Sequence, residues 1–75
     1  MNDRETGLRE RVVREGKLIG RTLTRYSYYL MPDGWVYVVL SHTQCHNVAL
    51  KADFKALLAR EPVSWDGKPD LALLD

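Results

Sequence analysis

The sequence predicts an α+β domain: a small antiparallel β-meander of two or three strands packed against one α-helix, with a short C-terminal segment. Three stretches carry that expectation. "GRTLTRYSYYLM" and "WVYVVLSH" are rich in Thr, Tyr, Val and Trp and read as strands. "PDG" lies between them as a turn, with Pro32 presetting φ and Gly34 suited to positive φ. "NVALKADFKALLAR" places Leu50, Phe54, Leu57 and Leu58 at the i, i+4, i+7, i+8 spacing of one apolar helix face.

Taken from the N-terminus, residues 1–7 are charged and expected to fray. Residues 8–14 admit two readings. As a helix over 2–15, Asn2 would cap, Glu5 would sit at N3, Gly16 would end it, and Glu5–Arg9 and Glu10–Arg14 would pair. As a strand, "RVVR" would pair with "KLIG" across "EG" and complete a three-stranded meander. The adjacent Val12 and Val13 favour the strand, because a helix would bury little beyond Leu8 and Val12.

Alternation along the next strand sets Leu18, Thr22, Thr24, Tyr26, Tyr28 and Leu30 on one face, and Ile19, Arg21, Leu23, Arg25 and Tyr29 on the other. Neither face is purely polar, so both are expected to be covered, by the domain's helix or by another chain. Thr43 or Asn47 is expected to cap the helix and Pro62 to stop it. Leu71, Leu73 and Leu74 then pack back or dock on a neighbour.

A chain of 75 residues makes one domain over 1–75. A domain of this size buries only about 60% of its unfolded surface. Its one cysteine cannot close an internal disulfide. The charged N-terminus has no apolar core, so no signal peptide is expected, and a lone cysteine suits a reducing cytoplasm. Nothing in the sequence suggests a membrane span.

Reactive side chains gather only in "SHTQCHN", which holds His42, Cys45 and His46. Structural zinc takes four ligands and catalytic zinc three, and the adjacent Cys45 and His46 would point about 100° apart on a helix. A thiol near a helix N-terminus gains thiolate character, but catalysis also needs an oriented base and an oxyanion hole. Asp33, Asp53, Asp66 and Asp70 sit singly at turns or on the helix surface. The expected chemistry is therefore no catalytic residue, no metal and no cofactor, with the cluster reading as a joint between strand and helix.

Net charge is +1, but between Arg9 and Arg25 six cations meet two acids. Arg9, Arg11, Arg14, Lys17, Arg21 and Arg25 precede and interleave with Tyr26, Tyr28 and Tyr29. Cations with aromatic faces can bind nucleic acid, although Glu10 and Glu15 interrupt the stripe. Tyr, Trp and Arg also dominate protein interfaces. The first expectation is a non-enzymatic interaction protein, which resembles in size and composition the small accessory proteins of phages, plasmids and integrated elements. It would bind and block or adapt a protein partner through Arg21, Arg25, Tyr26, Tyr28, Tyr29, Trp35 and Trp65, with a homodimer compatible. The alternative is a small nucleic-acid-binding regulator using Arg9, Arg11, Arg14, Lys17, Arg21 and Arg25.

Overall fold

The alternation in "SYYL" and "WVYVV" sorts their side chains onto the two faces of one antiparallel sheet. A computed structural model of the chain describes residues 3–41, 44–60 and 64–74. Helix α1 (Asp3–Glu15) is followed by strands β1 (Lys17–Arg21), β2 (Ser27–Leu30), β3 (Trp35–Val39) and β4 (Cys45–Leu50). Helix α2 (Lys51–Arg60) and a 3₁₀ turn (Leu71–Leu74) complete the order. The four strands lie in sequence order, β1-β2-β3-β4, each antiparallel to the next. This is a small α+β fold, with more elements than the sequence indicated.

Both faces of the sheet are covered from within the chain. On one face Ile19, Val36, Phe54 and Leu74 form a buried cluster, with Tyr28, Leu30, Ala49, Leu58, Trp65 and Leu73 packed around it. On the other, Val12 of α1 is buried with Met31 and Cys45, beside Leu8, Tyr29, Tyr37 and Val39. Each fully buried aliphatic side chain stabilises the fold by about 1.5–3 kcal/mol.

Three expectations are corrected. Residues 8–14 are helical rather than strand, within a helix that spans Asp3–Glu15. Val12 alone is deeply buried there, 0% exposed, while Val13 is 41% exposed. The thin apolar stripe suffices because the sheet beneath supplies the rest of the cluster. Gly16 ends α1, its N–H donating to the Val12 carbonyl at 2.8 Å.

Second, the long first strand is two strands. β1 pairs with β2 through Leu18–Tyr29 and Arg21–Ser27, and residues 22–26 turn the chain between them. Third, "CHNVAL" is strand β4 and α2 starts only at Lys51. Asn47 therefore sits in the sheet opposite Tyr37 rather than capping a helix, and Leu50 lies opposite Trp35 and is exposed. Phe54 is buried and Leu57 and Leu58 half-buried, so the rest of the expected helix face holds. Asn2, His42, Thr43 and Pro62 lie outside the described residues.

The C-terminal segment closes the outer edge of β1. Leu23 N–H donates to the Ser64 carbonyl (3.0 Å), Asp66 N–H to Arg21 (2.6 Å) and Asp70 N–H to Ile19 (2.8 Å). Thr22 and Trp65 form an antiparallel bridge within this run. An exposed edge would otherwise offer a row of unpaired backbone groups. Ile19 is an extra residue between the Leu18–Tyr29 and Gly20–Tyr28 pairs, a bulge in the strand. Trp65 then packs where a side chain at position 20 would stand: a Cβ there would lie 2.8 Å from its ring.

Gly20→Ala is accordingly expected to lower stability by about 1–3 kcal/mol through overpacking, and Gly20→Val by more. Thermal unfolding followed by tryptophan fluorescence checks this. Unchanged midpoints for both variants would show that the Trp65 ring yields freely.

Candidate functional site

Two turns of this fold share one backbone design. In the β2–β3 turn, Met31 N–H donates to the Trp35 carbonyl (2.8 Å) and Gly34 N–H to the Met31 carbonyl (2.9 Å). In the β1–β2 turn, Thr22 N–H donates to Tyr26 (2.8 Å) and Arg25 N–H to Thr22 (2.9 Å). Each is a three-residue loop whose last position takes positive φ, the pattern of a turn followed by a glycine bulge. Gly34 fills that position at φ 91°, as "PDG" suggests, whereas Arg25 fills its counterpart at φ 68°.

A left-handed conformation costs an L-residue with a Cβ about 1–2 kcal/mol. The surroundings of Arg25 hold it there. Thr22 is 2% exposed; its Oγ1 lies 2.8 Å from Thr24 Oγ1 and accepts from Tyr26 N–H at 3.1 Å. The Ser64–Asp66 segment braces the other side through Leu23 and Arg21. What this frame presents is Leu23, 67% exposed, Tyr26, 40% exposed, and the exposed Arg21 and Arg25. Neither arginine makes an ion pair among the described residues. Sequence reading placed Arg21, Arg25 and Tyr26 among the candidates and passed over Leu23, whose signal is a large apolar residue flanked by two threonines.

The remaining aromatic candidates are half-buried. Tyr28 lies between Phe54 (ring centroids 5.3 Å) and Trp65 (5.5 Å, edge-on). Burial, and secondarily the neighbouring Tyr26, pushes the Tyr28 phenol above its ordinary pKa of 10.0. Tyr29 packs on the α1 side of the sheet, and Trp35 stands on β3 opposite Leu50. Tyr28 and Trp65 thus form the platform under the turn.

The basic candidates other than Arg25 come from α1 and from the two faces of β1. Arg9, Arg11 and Arg14 belong to α1, and Arg14 pairs with Glu15 at 3.1 Å. Arg9 is half-buried, its Nε enclosed without an acceptor among the described residues. Lys17 lies opposite Leu30 on the α2 side of the sheet, whereas Arg21 lies opposite Ser27 on the α1 side. The bulge at Ile19 separates them, and β1 rises roughly 13 Å between the two at about 3.3 Å per residue.

Cys45 sits in β4, 2% exposed, rather than at a helix N-terminus. Desolvation raises its thiol pKa, with the Arg9 charge opposing in smaller measure. The neutral thiol is the form the fold prefers, opposite to what a nucleophile requires. His46 is exposed on the strand. Among the described residues no three His, Cys, Asp or Glu side chains converge on a common point. No described helix is long and apolar enough to cross a membrane. The chain matches no protein-family model, no curated protein and no solved structure.

Cys45 is expected to resist a thiol reagent in the native state and react fully on unfolding. Because its folded pKa is raised, its contribution to stability is complete below the unfolded value near 9.0 and is lost as pH rises through the folded one. Denaturant midpoints should therefore hold from neutral pH to about 8.5 and fall above it, less steeply in Cys45→Ala. Rapid native labelling, or an alkaline slope unchanged by the substitution, would contradict the burial of this thiol.

Proposed function

We propose that this chain is a non-enzymatic interaction protein that blocks or adapts a protein partner through the Thr22–Tyr26 turn. The observation that carries this reading is the rigid presentation of Leu23, Arg25 and Tyr26 on a backbone with its fourth residue in the left-handed region. Strain of this kind persists where the surroundings over-determine it, and it is concentrated at functional loops. An apolar anchor with Tyr and Arg beside it matches the residues that dominate interfaces, and preorganisation lowers the entropic cost of docking. The frame needs no glycine, so a side chain occupies every position of the turn.

At this turn the nucleic-acid alternative has Arg21 and Arg25, with Arg9, Arg11 and Arg14 on α1, which covers the sheet face that Arg21 shares, and Lys17 on the other face. Self-association has a separate surface. β4 is the other edge strand of the sheet and pairs with no further strand among the described residues, with Val48 36% and Leu50 43% exposed and no Lys, Arg, Asp or Glu in "CHNVAL". Such an edge suits pairing with a second copy.

Arg25→Gly separates fold from function. It should leave stability unchanged or raise it by up to about 1 kcal/mol, since glycine adopts positive φ freely. It should also weaken partner capture, as should Leu23→Ser. The test is affinity capture from cell extract with the immobilised wild type and both variants, in low and high salt and with nuclease. A nuclease-resistant, salt-tolerant protein partner lost in both variants supports the reading. Capture unaffected by either substitution overturns it, and a salt-sensitive nucleic acid in its place favours the alternative. Light scattering of the free protein reports self-association, and a monomer at every concentration would exclude the β4 pairing.

A further inference from the structure

At the opposite end of the β1–β2 hairpin from the Thr22–Tyr26 turn, a cleft of about 350 Å³ opens beside the 31–35 turn. Leu30, Met31 and Leu73 wall it, and Lys17 and Lys51 stand at its margin with Glu15. Its size lies at the lower end of small-molecule sites, and its make-up follows their pattern of apolar walls with a few charged groups.

The charges are not balanced within the cleft. Glu15 accepts the guanidinium of Arg14 at 3.1 Å, outside the lining. Lys17 and Lys51 make no ion pair among the described residues. They come from different elements, Lys17 opening β1 and Lys51 opening α2. Lys51 is positioned by its backbone, its N–H donating to the Gly34 carbonyl at 2.9 Å. The N-terminus of α2 adds little for an anion, because Asp53 already occupies its first turn. Lysine ammonium groups take carboxylates as point charges on flexible stems. Met31 borders the cleft at the 31–35 turn, while its side chain, 3% exposed, packs with Val12 and Cys45.

We propose that this cleft binds a small apolar carboxylate, its carboxylate held between Lys17 and Lys51 and its hydrocarbon body against Leu30 and Leu73. The site is independent of the partner-binding turn, and neither reading needs the other. Both parts of the ligand are required: the lysines alone would take any anion, and the walls alone any apolar body.

The test is NMR titration of the full chain with hexanoate, with hexan-1-ol and inorganic phosphate as the two half-ligands. For a ligand of this size the dissociation constant is expected on the order of 1 mM. Saturable shifts should appear at Lys17, Leu30, Met31, Lys51 and Leu73 and leave residues 22–26 unmoved. Both half-ligands should bind about fivefold more weakly or worse, and Lys17→Gln with Lys51→Gln should weaken hexanoate by a similar factor. Circular dichroism and thermal unfolding verify that the double variant is folded, and each single variant repeats the test should it not be. The proposal is overturned by the absence of saturation up to about 20 mM. It is also overturned by equal binding of hexan-1-ol or phosphate, or by hexanoate binding that survives the substitutions.

Discussion

The packing of Trp65 against Gly20 is the contact on which the arrangement of this chain depends. It joins the C-terminal segment to the first strand, which are separated by most of the sequence. Around it the tail hydrogen-bonds along β1 at Arg21 and Ile19, and Tyr28 and Phe54 carry the aromatic contact into the buried cluster. Remove it and two problems arise together: β1 becomes an open edge, and the α2 side of the sheet loses part of its cover. In a domain of this size few other contacts could compensate.

The same contact reaches the candidate site. Ser64 and Asp66, on either side of Trp65, bond to Leu23 and Arg21 on either side of Thr22. The turn is therefore held by two independent sets of bonds, its own and those of the tail. That over-determination explains how Arg25 can keep a positive φ without glycine. Structure and candidate function are coupled here: the segment that completes the fold also fixes the shape of the loop it presents.

The turn was hidden for a physical reason. "PDG" advertises itself because proline and glycine fill the positions that need them. "TLTRY" adopts the same hydrogen-bond pattern with Thr, Leu and Arg, residues that read as strand, and its positive φ falls on an arginine. Local preference pointed to extension; Thr22 Oγ1 and the tail outweighed it. "CHNVAL" misled in a similar way, since its apolar spacing continues smoothly into the helix after it, and strand or helix is decided there by pairing with β3. At "RVVR" the two valines favour a strand, but the sheet already draws its fourth strand from residues 45–50, and the segment covers that sheet as α1.

Composition and periodicity by themselves determined the α+β class, the β2–β3 hairpin with its Gly34 turn, the apolar face of α2 through Phe54, and the crowding of arginine and tyrosine between residues 9 and 29. These follow from interactions within a few residues, where backbone preference and side-chain spacing act directly. Only the tertiary structure decided that Arg21 and Lys17 face opposite sides of the sheet, that Tyr28 and Trp65 support the turn while Leu23 projects from it, and that Lys17 and Lys51 meet at one cleft. Those outcomes rest on a one-residue bulge at Ile19 and on backbone pairing between the chain's beginning and its end. Such pairing forms between segments far apart in sequence, so no local pattern carries it.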